Sequence, residues 1–249
     1  MTFRFTSRSQ PLKRQRYCSG RRSPEESHPI SGLFKKRTIW LPTWKGWLLL
    51  ALITVVGLIG LIRGLYPILA PNARVDANIL IVEGWLPEYG LEAAIAEFQA
   101  GSYEHLITSG GPLWEGHHAA QLGSYAELAA HVIRAKSFPT NQLVAVPGPK
   151  VWKHRTFHSA DAVRQFLNTS EISVIGINVM TLGPHGRRTK IIYDDVLRAH
   201  QPLGIISYPS AEYDKDRWWK TSEGTKHVLT ETLASGYEWL FKSGRPRPN

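Results

Sequence analysis

Apolar positions follow two different patterns along the chain. From Trp47 to Ile62 the sequence reads WLLLALITVVGLIGLI, sixteen residues without a charge. A core helix of a soluble domain keeps a polar face at helical spacing; this run has none, which predicts a helix surrounded by lipid. Sixteen residues cover ~24 Å at the helical rise, short of the ~30 Å hydrocarbon layer. Arg63 interrupts, and GLYPILA carries the apolar character to Ala70. An arginine near a helix end reaches the headgroups on its long stem, and Trp40, Trp44, Trp47 and Tyr66 stand where interfacial aromatics belong. The predicted span is residues 45–70.

Beyond residue 75 the period alternates. Runs rich in β-branched residues occur at 78–83, 104–109, 142–146, 172–180 and 203–207, and amphipathic stretches at about 89–100, 122–136, 157–168, 187–200 and 222–241. Strand and helix in alternation predict an α/β fold, a three-layer Rossmann-like domain with about five mostly parallel strands, preceded by one transmembrane helix. Gly101, Pro139 and Pro202 mark element ends. Strand order is not legible at this level. The organisation expected is a basic tail over 1–44, the anchor over 45–70, the α/β domain over 71–243 and a short tail over 244–249.

Charge sharpens this picture. Residues 1–46 hold eleven Lys and Arg against Glu25 and Glu26, a net +9 of the chain's +10. Nucleic-acid-binding folds carry their excess charge on the folded domain, so no nucleic-acid partner is expected. A basic tail before an apolar run instead signals topology: the tail stays cytoplasmic and the domain after residue 70 lies across the bilayer, in the periplasm or its extracytoplasmic equivalent. The long basic lead and the lack of an A-x-A site separate the run from a cleavable signal peptide. The single cysteine, Cys18, excludes an intrachain disulfide and multi-cysteine metal sites.

In open α/β sheets ligands bind beyond the carboxyl ends of the strands. That rule selects GWLPEY (84–89), TSGGPLWEGHHAAQ (108–121), PGPKVWKHRT (147–156), TLGPHGRR (181–188) and YPSAEYDKDRWW (208–219). The second is long for a βα loop, a feature more often functional than accidental.

These segments carry a resemblance. The run AAIAEFxxGxYxxLITSGG (93–111), YAELA (125–129), HRTFHSA (154–160) and TLGPHGRR (181–188) resemble the YdcF/SanA/ElyC-like domain family of bacterial envelope proteins, over roughly residues 77–241. The resemblance implies a Rossmann-like fold and an envelope role. It also implies S-adenosylmethionine as a cofactor in one branch, most members having no established reaction. Its most specific pieces here are Ser109-Gly110-Gly111 and the pair His185 and Arg188.

Each constellation also has its own chemistry. Gly110 and Gly111 are expected to turn with positive φ and expose amide N–H groups to an anion; a simple tight turn is the plain alternative. Ser109 lacks the G-x-S-x-G frame of a hydrolase elbow, because Ile107 stands at the first glycine position. His185 and Arg188 begin a helix, where dipole and guanidinium favour an anion and a histidine serves as acid, base or hydrogen-bond donor. A loop histidine satisfied by backbone is the alternative. Thr156 lies in the basic third loop with Lys150, Lys153 and Arg155. Gly84 opens the first loop, and Glu115 in the long second loop is a candidate acid or partner of His185. The expected ligand-binding set is Gly84, Ser109, Gly110, Gly111, Thr156, His185 and Arg188, with His185 and Glu115 catalytic and no metal ligands. Trp114, Trp218 and Trp219 are expected to close the pocket. Two functions fit: a tethered domain binding or acting on a small anionic phosphate- or nucleotide-bearing molecule, such as an envelope or lipid-carrier precursor, or a non-catalytic envelope assembly or regulatory factor.

Overall fold

A computed structural model of the chain describes residues 40–114, 116, 118–197, 202–242 and 244. Helix α1 (Trp44–Leu69) has a mean hydropathy of 2.4 over its most apolar window. Among the described residues it is the one helix long and apolar enough to cross a membrane. Arg63 and Pro67 both lie inside it, and it ends by packing Tyr66 and Leu69 against Tyr213, Trp218 and Val228.

The remaining elements are β1 (Asn72–Ala73), β2 (Ile79–Glu83), α2 (Glu88–Ala100), β3 (His105–Gly110), α3 (Tyr125–Ala135), β4 (Leu143–Pro147), α4 (Arg155–Thr169), β5 (Ile177–Leu182), α5 (Gly186–Val196), β6 (Leu203–Tyr208) and α6 (Ser222–Phe241). They form one six-stranded sheet in the order β1-β6-β5-β2-β3-β4. All its pairings are parallel except that of β1 with β6. The sixth strand, beyond the five expected, is β1, two residues long. It is added because Asn72 exchanges side-chain hydrogen bonds with the backbone of Ser207.

Side chains of β2 alternate between two cores, which is why its run is apolar without a break. Leu80 and Val82 pack with Leu91 and Phe98 of α2 and Ala129 and Ile133 of α3. Ile79 and Ile81 face Val163 and Leu167 of α4 and Ile192 and Tyr193 of α5. Each face is thus closed by a pair of helices.

Two boundaries differ from the periodic reading. The apolar stretch 172–180 becomes strand only at Ile177. Upstream, Asn78 Nδ2 donates to Ser173 O and its Oδ1 accepts from Ile175 N, so a side chain takes the place of a strand neighbour. Helix α3 starts at Tyr125 instead of about 122, because Gly123 has φ of 80° and Ser124 caps the helix by accepting from the Glu127 amide. The predicted end of the helix over 187–200 lies outside the described residues.

Candidate functional site

The chain runs outward from β2 to β3 to β4, then returns to place β5 on the other side of β2. The carboxyl ends of β2 and β5 therefore flank the topological switch point, where such sheets hold ligands. Glu83 closes β2 there, and β5 leads into a tight turn, Gly183–His185, before α5. Gly183 has φ of 48°, a backbone state natural to glycine, and it lets the chain reverse beneath Tyr66.

A buried ionic network fills this point. His185 Nδ1 lies 3.0 Å from Glu231 Oε1, and Arg188, one turn further on, donates Nε and Nη2 to Glu231 Oε2 and Oε1 at 2.9 and 2.8 Å. That fork is the strong bidentate geometry of a guanidinium on a carboxylate. On its other side, His185 Nε2 is 3.6 Å from Glu83 Oε2, within ion-pair distance but without a hydrogen-bond partner. Glu83 itself accepts from Thr181 Oγ1 and from Thr189 Oγ1. The edge of the Trp85 ring meets the His185 ring at 5.1 Å between centroids.

The protonation states follow from this arrangement. Burial alone disfavours the imidazolium, but the Glu83 charge and the hydrogen bond that the ring donates to Glu231 outweigh it and push His185 up to about 9. Burial likewise disfavours the Glu83 carboxylate, and His185, Thr181 and Arg188 together hold it below its ordinary value. Glu231 follows the same logic, with burial opposed and overcome by His185 and Arg188. At neutral pH the network is two carboxylates and two cations, all charged.

Above it opens a cavity of about 1010 Å³. Ser109, Gly110, Gly111, Thr156, His185 and Arg188 all line it, so six of the expected positions converge at one place. Trp114 and Trp152, 4.9 Å apart between ring centroids, form part of its wall, and Arg155 lies over the Trp114 ring. Lys150, Arg155 and the first turn of α4 line the same cavity. Neither α4 nor α5 has a side-chain cap at its N-terminus, whereas Ser124 and Thr221 cap α3 and α6. The amides of those two first turns are thus not consumed by capping side chains.

Several expectations change. Gly84 is not among the lining residues: a Cβ there would stand 2.4 Å from Tyr125 O, so the glycine serves the close approach of α3 to β2. Gly110 plays the same part, its Cβ position being 2.7 Å from Tyr125 Cβ, and neither Gly110 nor Gly111 has a positive φ. The pair ends a strand and does not make a left-handed turn. Ser109 Oγ is occupied by Tyr193 OH at 3.0 Å and is buried. Of the three tryptophans, Trp114 lines the cavity, while Trp218 and Trp219 pack in the cluster around the end of α1. Glu115 lies outside the described residues; the carboxylates found at His185 are Glu83 and Glu231.

Those two glutamates were not singled out from the sequence. Glu83 leaves one signal, a charge ending an otherwise apolar central strand. Glu231 leaves another: in α6 the inward positions Glu231, Ser235 and Glu238 are polar, while Leu229, Leu233 and Leu240 point out. A helix with its polar side buried announces a polar partner inside.

No protein-family model matches the chain, and no curated protein matches it. The fit to S-adenosylmethionine is poor where a Rossmann-like fold would hold it. The turn after β2 is closed by Tyr125 over Gly84 and by buried Leu86, and Glu83 is taken by Thr181, Thr189 and His185. No step is assigned to that cofactor.

Proposed function

We propose that the chain is a single-pass membrane protein of the YdcF/SanA/ElyC-like kind, with its basic tail cytoplasmic. On this reading its α/β domain binds a small anionic phosphate- or nucleotide-bearing ligand on the far side of the bilayer. The observation that carries the ligand class is the cationic lining of the cavity: the partly exposed Arg188 reaches it beside the buried His185, and Lys150 and Arg155 stand in its wall. The uncapped start of α4 adds amide donors, and Lys150 and Arg155 add charge toward the mouth.

The same geometry favours binding over proton cycling. A general acid or base works best with its pKa near the ambient pH, and the flanking carboxylates hold His185 at about 9. It therefore acts as a fixed cationic donor at neutral pH. This supports the reading of a sensing or docking domain in envelope assembly, with action on an envelope or lipid-carrier precursor as the catalytic variant of the same site.

The test is calorimetric titration of the detergent-solubilised full chain with inorganic diphosphate, beside the double variant Lys150→Ala/Arg155→Ala. These rim residues lie outside the buried network, so the fold survives their loss. Tighter binding by the unaltered chain, weakening with salt, is expected; equal binding by both overturns the anion reading. For sidedness, a reporter fused after Asn249 is expected to be active only outside the cytoplasm, and cytoplasmic activity overturns it.

A further inference from the structure

Helix α6 is built inside out. Its inward face carries Val228, Glu231, Ser235 and Glu238, and Glu231 and Glu238 both line the cavity. Its outward face from Leu229 to Phe241 holds Leu229, Leu233, Trp239, Leu240 and Phe241, all exposed, with Leu233 at 77% and Trp239 at 70%, while the exposed Tyr237 lies at the border and also lines the cavity. No charged side chain lies on that outward face, and Lys226 and Lys242 bracket it. A soluble domain surrounded by water has no use for such a stripe.

The fold places this stripe beside the anchor. Trp218 Nε1 donates to Ile62 O of α1, Arg187 Nε donates to Ile68 O, and Val228 packs with Tyr66 and Leu69. The domain thus grips the last two turns of α1 at the carboxyl edge of the sheet, and the stripe begins one residue after Val228. From Trp44 to Leu61 the anchor is almost wholly exposed, a length of ~27 Å that matches the hydrocarbon layer. The point where α1 enters the domain is therefore the level of the headgroups, and α6 starts at that level.

We propose that the outward face of α6 lies in the bilayer interface as a second, in-plane membrane contact, with Leu229, Leu233, Leu240 and Phe241 among the acyl chains. Trp239 sits at headgroup depth, and Lys226 meets anionic lipid phosphates. The chemistry is that of an interfacial amphipathic helix, with the domain supplying the polar face. Continuity with α1 and the lack of outward charge select lipid over a soluble partner. The inference rests on the reading of α1 as a membrane span and is independent of the cavity's ligand.

The test uses the full chain with Cys18→Ser in vesicles of phosphatidylcholine and phosphatidylglycerol, and single cysteines from Leu52→Cys, Asn168→Cys, Leu233→Cys or Leu240→Cys. Each carries an environment-sensitive fluorophore, and nitroxide-bearing lipids serve as quencher. Asn168 is the control, exposed near the end of α4 at the opposite edge of the sheet. Several-fold stronger quenching at positions 233 and 240 than at 168, by shallow more than by deep nitroxides, is expected. Quenching at 233 and 240 no greater than at 168, with 52 quenched, overturns the docking and leaves the anchor standing. Cross-linking between copies through position 240 without lipid quenching shows a second copy on the stripe and likewise overturns it. No quenching at 52 overturns the anchor reading, whereas quenching at 233 and 240 supports the interfacial contact in either case.

Discussion

Glu231 Oε1 receives two cations, His185 Nδ1 at 3.0 Å and Arg188 Nη2 at 2.8 Å, and so ties α6 to the turn that follows β5. Glu83, His185 and Glu231 are buried and Arg188 is partly so, and the network holds because each carboxylate meets a cation or a hydroxyl. Breaking one partner of such a set leaves an uncompensated charge, which costs more than the intact pair contributes.

Replacing Glu231→Gln removes the acceptor charge while keeping the shape. His185 is then expected to titrate below its present value of about 9, and the domain to lose about 3 kcal/mol of stability. The shift is read from the imidazole resonance across a pH series, and an unmoved titration would show that Glu83 alone sets the charge.

Stability should depend on pH in two opposite limbs. His185 is raised from 6.5 to about 9, so its contribution is whole below pH 6.5 and disappears as pH climbs through 9. Glu83 and Glu231 are lowered from 4.5, so theirs is whole above pH 4.5 and disappears as pH falls through their depressed values. Melting curves of the unaltered chain and of His185→Gln are expected to converge between pH 6.5 and 9. A gap that stays constant over that range would contradict a charged histidine.

The glycines separate packing from ligand approach. Gly84→Ala brings a Cβ within 2.4 Å of Tyr125 O and should cost about 1–3 kcal/mol in thermal or denaturant unfolding. Gly111→Ala meets only Pro149 O at 3.6 Å and should leave stability near that of the parent. Equal loss in both would mean that the approach of α3 to the strand ends is not what Gly84 serves.

Asn178 holds the segment leading into β2 by both backbone groups of Val75, each at 3.0 Å, and donates to Tyr103 OH at 2.8 Å. Asn178→Ala should cost about 1–3 kcal/mol and speed hydrogen exchange at Val75 before the core strands. Unchanged protection there would show that β1 alone fixes the segment.

Much of the architecture was legible one residue at a time. The period-two and helical patterns located β2, β3, β4, β6 and α2 to within a residue or two, because burial on both faces leaves an unbroken apolar run and half-burial leaves a stripe. They overran β5, where Asn78 satisfies the backbone that a strand neighbour would otherwise pair. The strand-end rule and the family resemblance together selected Ser109, Gly110, Gly111, Thr156, His185 and Arg188, which meet at one cavity because loops after parallel strands share an edge.

The order of elements, the long apolar helix and the candidate loops are local properties, written in the spacing of side chains along the chain. Strand order is not local, and it alone put β5 beside β2 and made Glu83 and His185 neighbours. The partnership of His185 with Glu231 spans 46 residues and depends on α6 packing its polar side inward. No one-dimensional pattern contains that fact, because a buried charge is tolerable only when its counter-charge arrives from elsewhere in space. Folding brought two carboxylates from distant elements to the pair His185 and Arg188, and their charge is what keeps the histidine protonated.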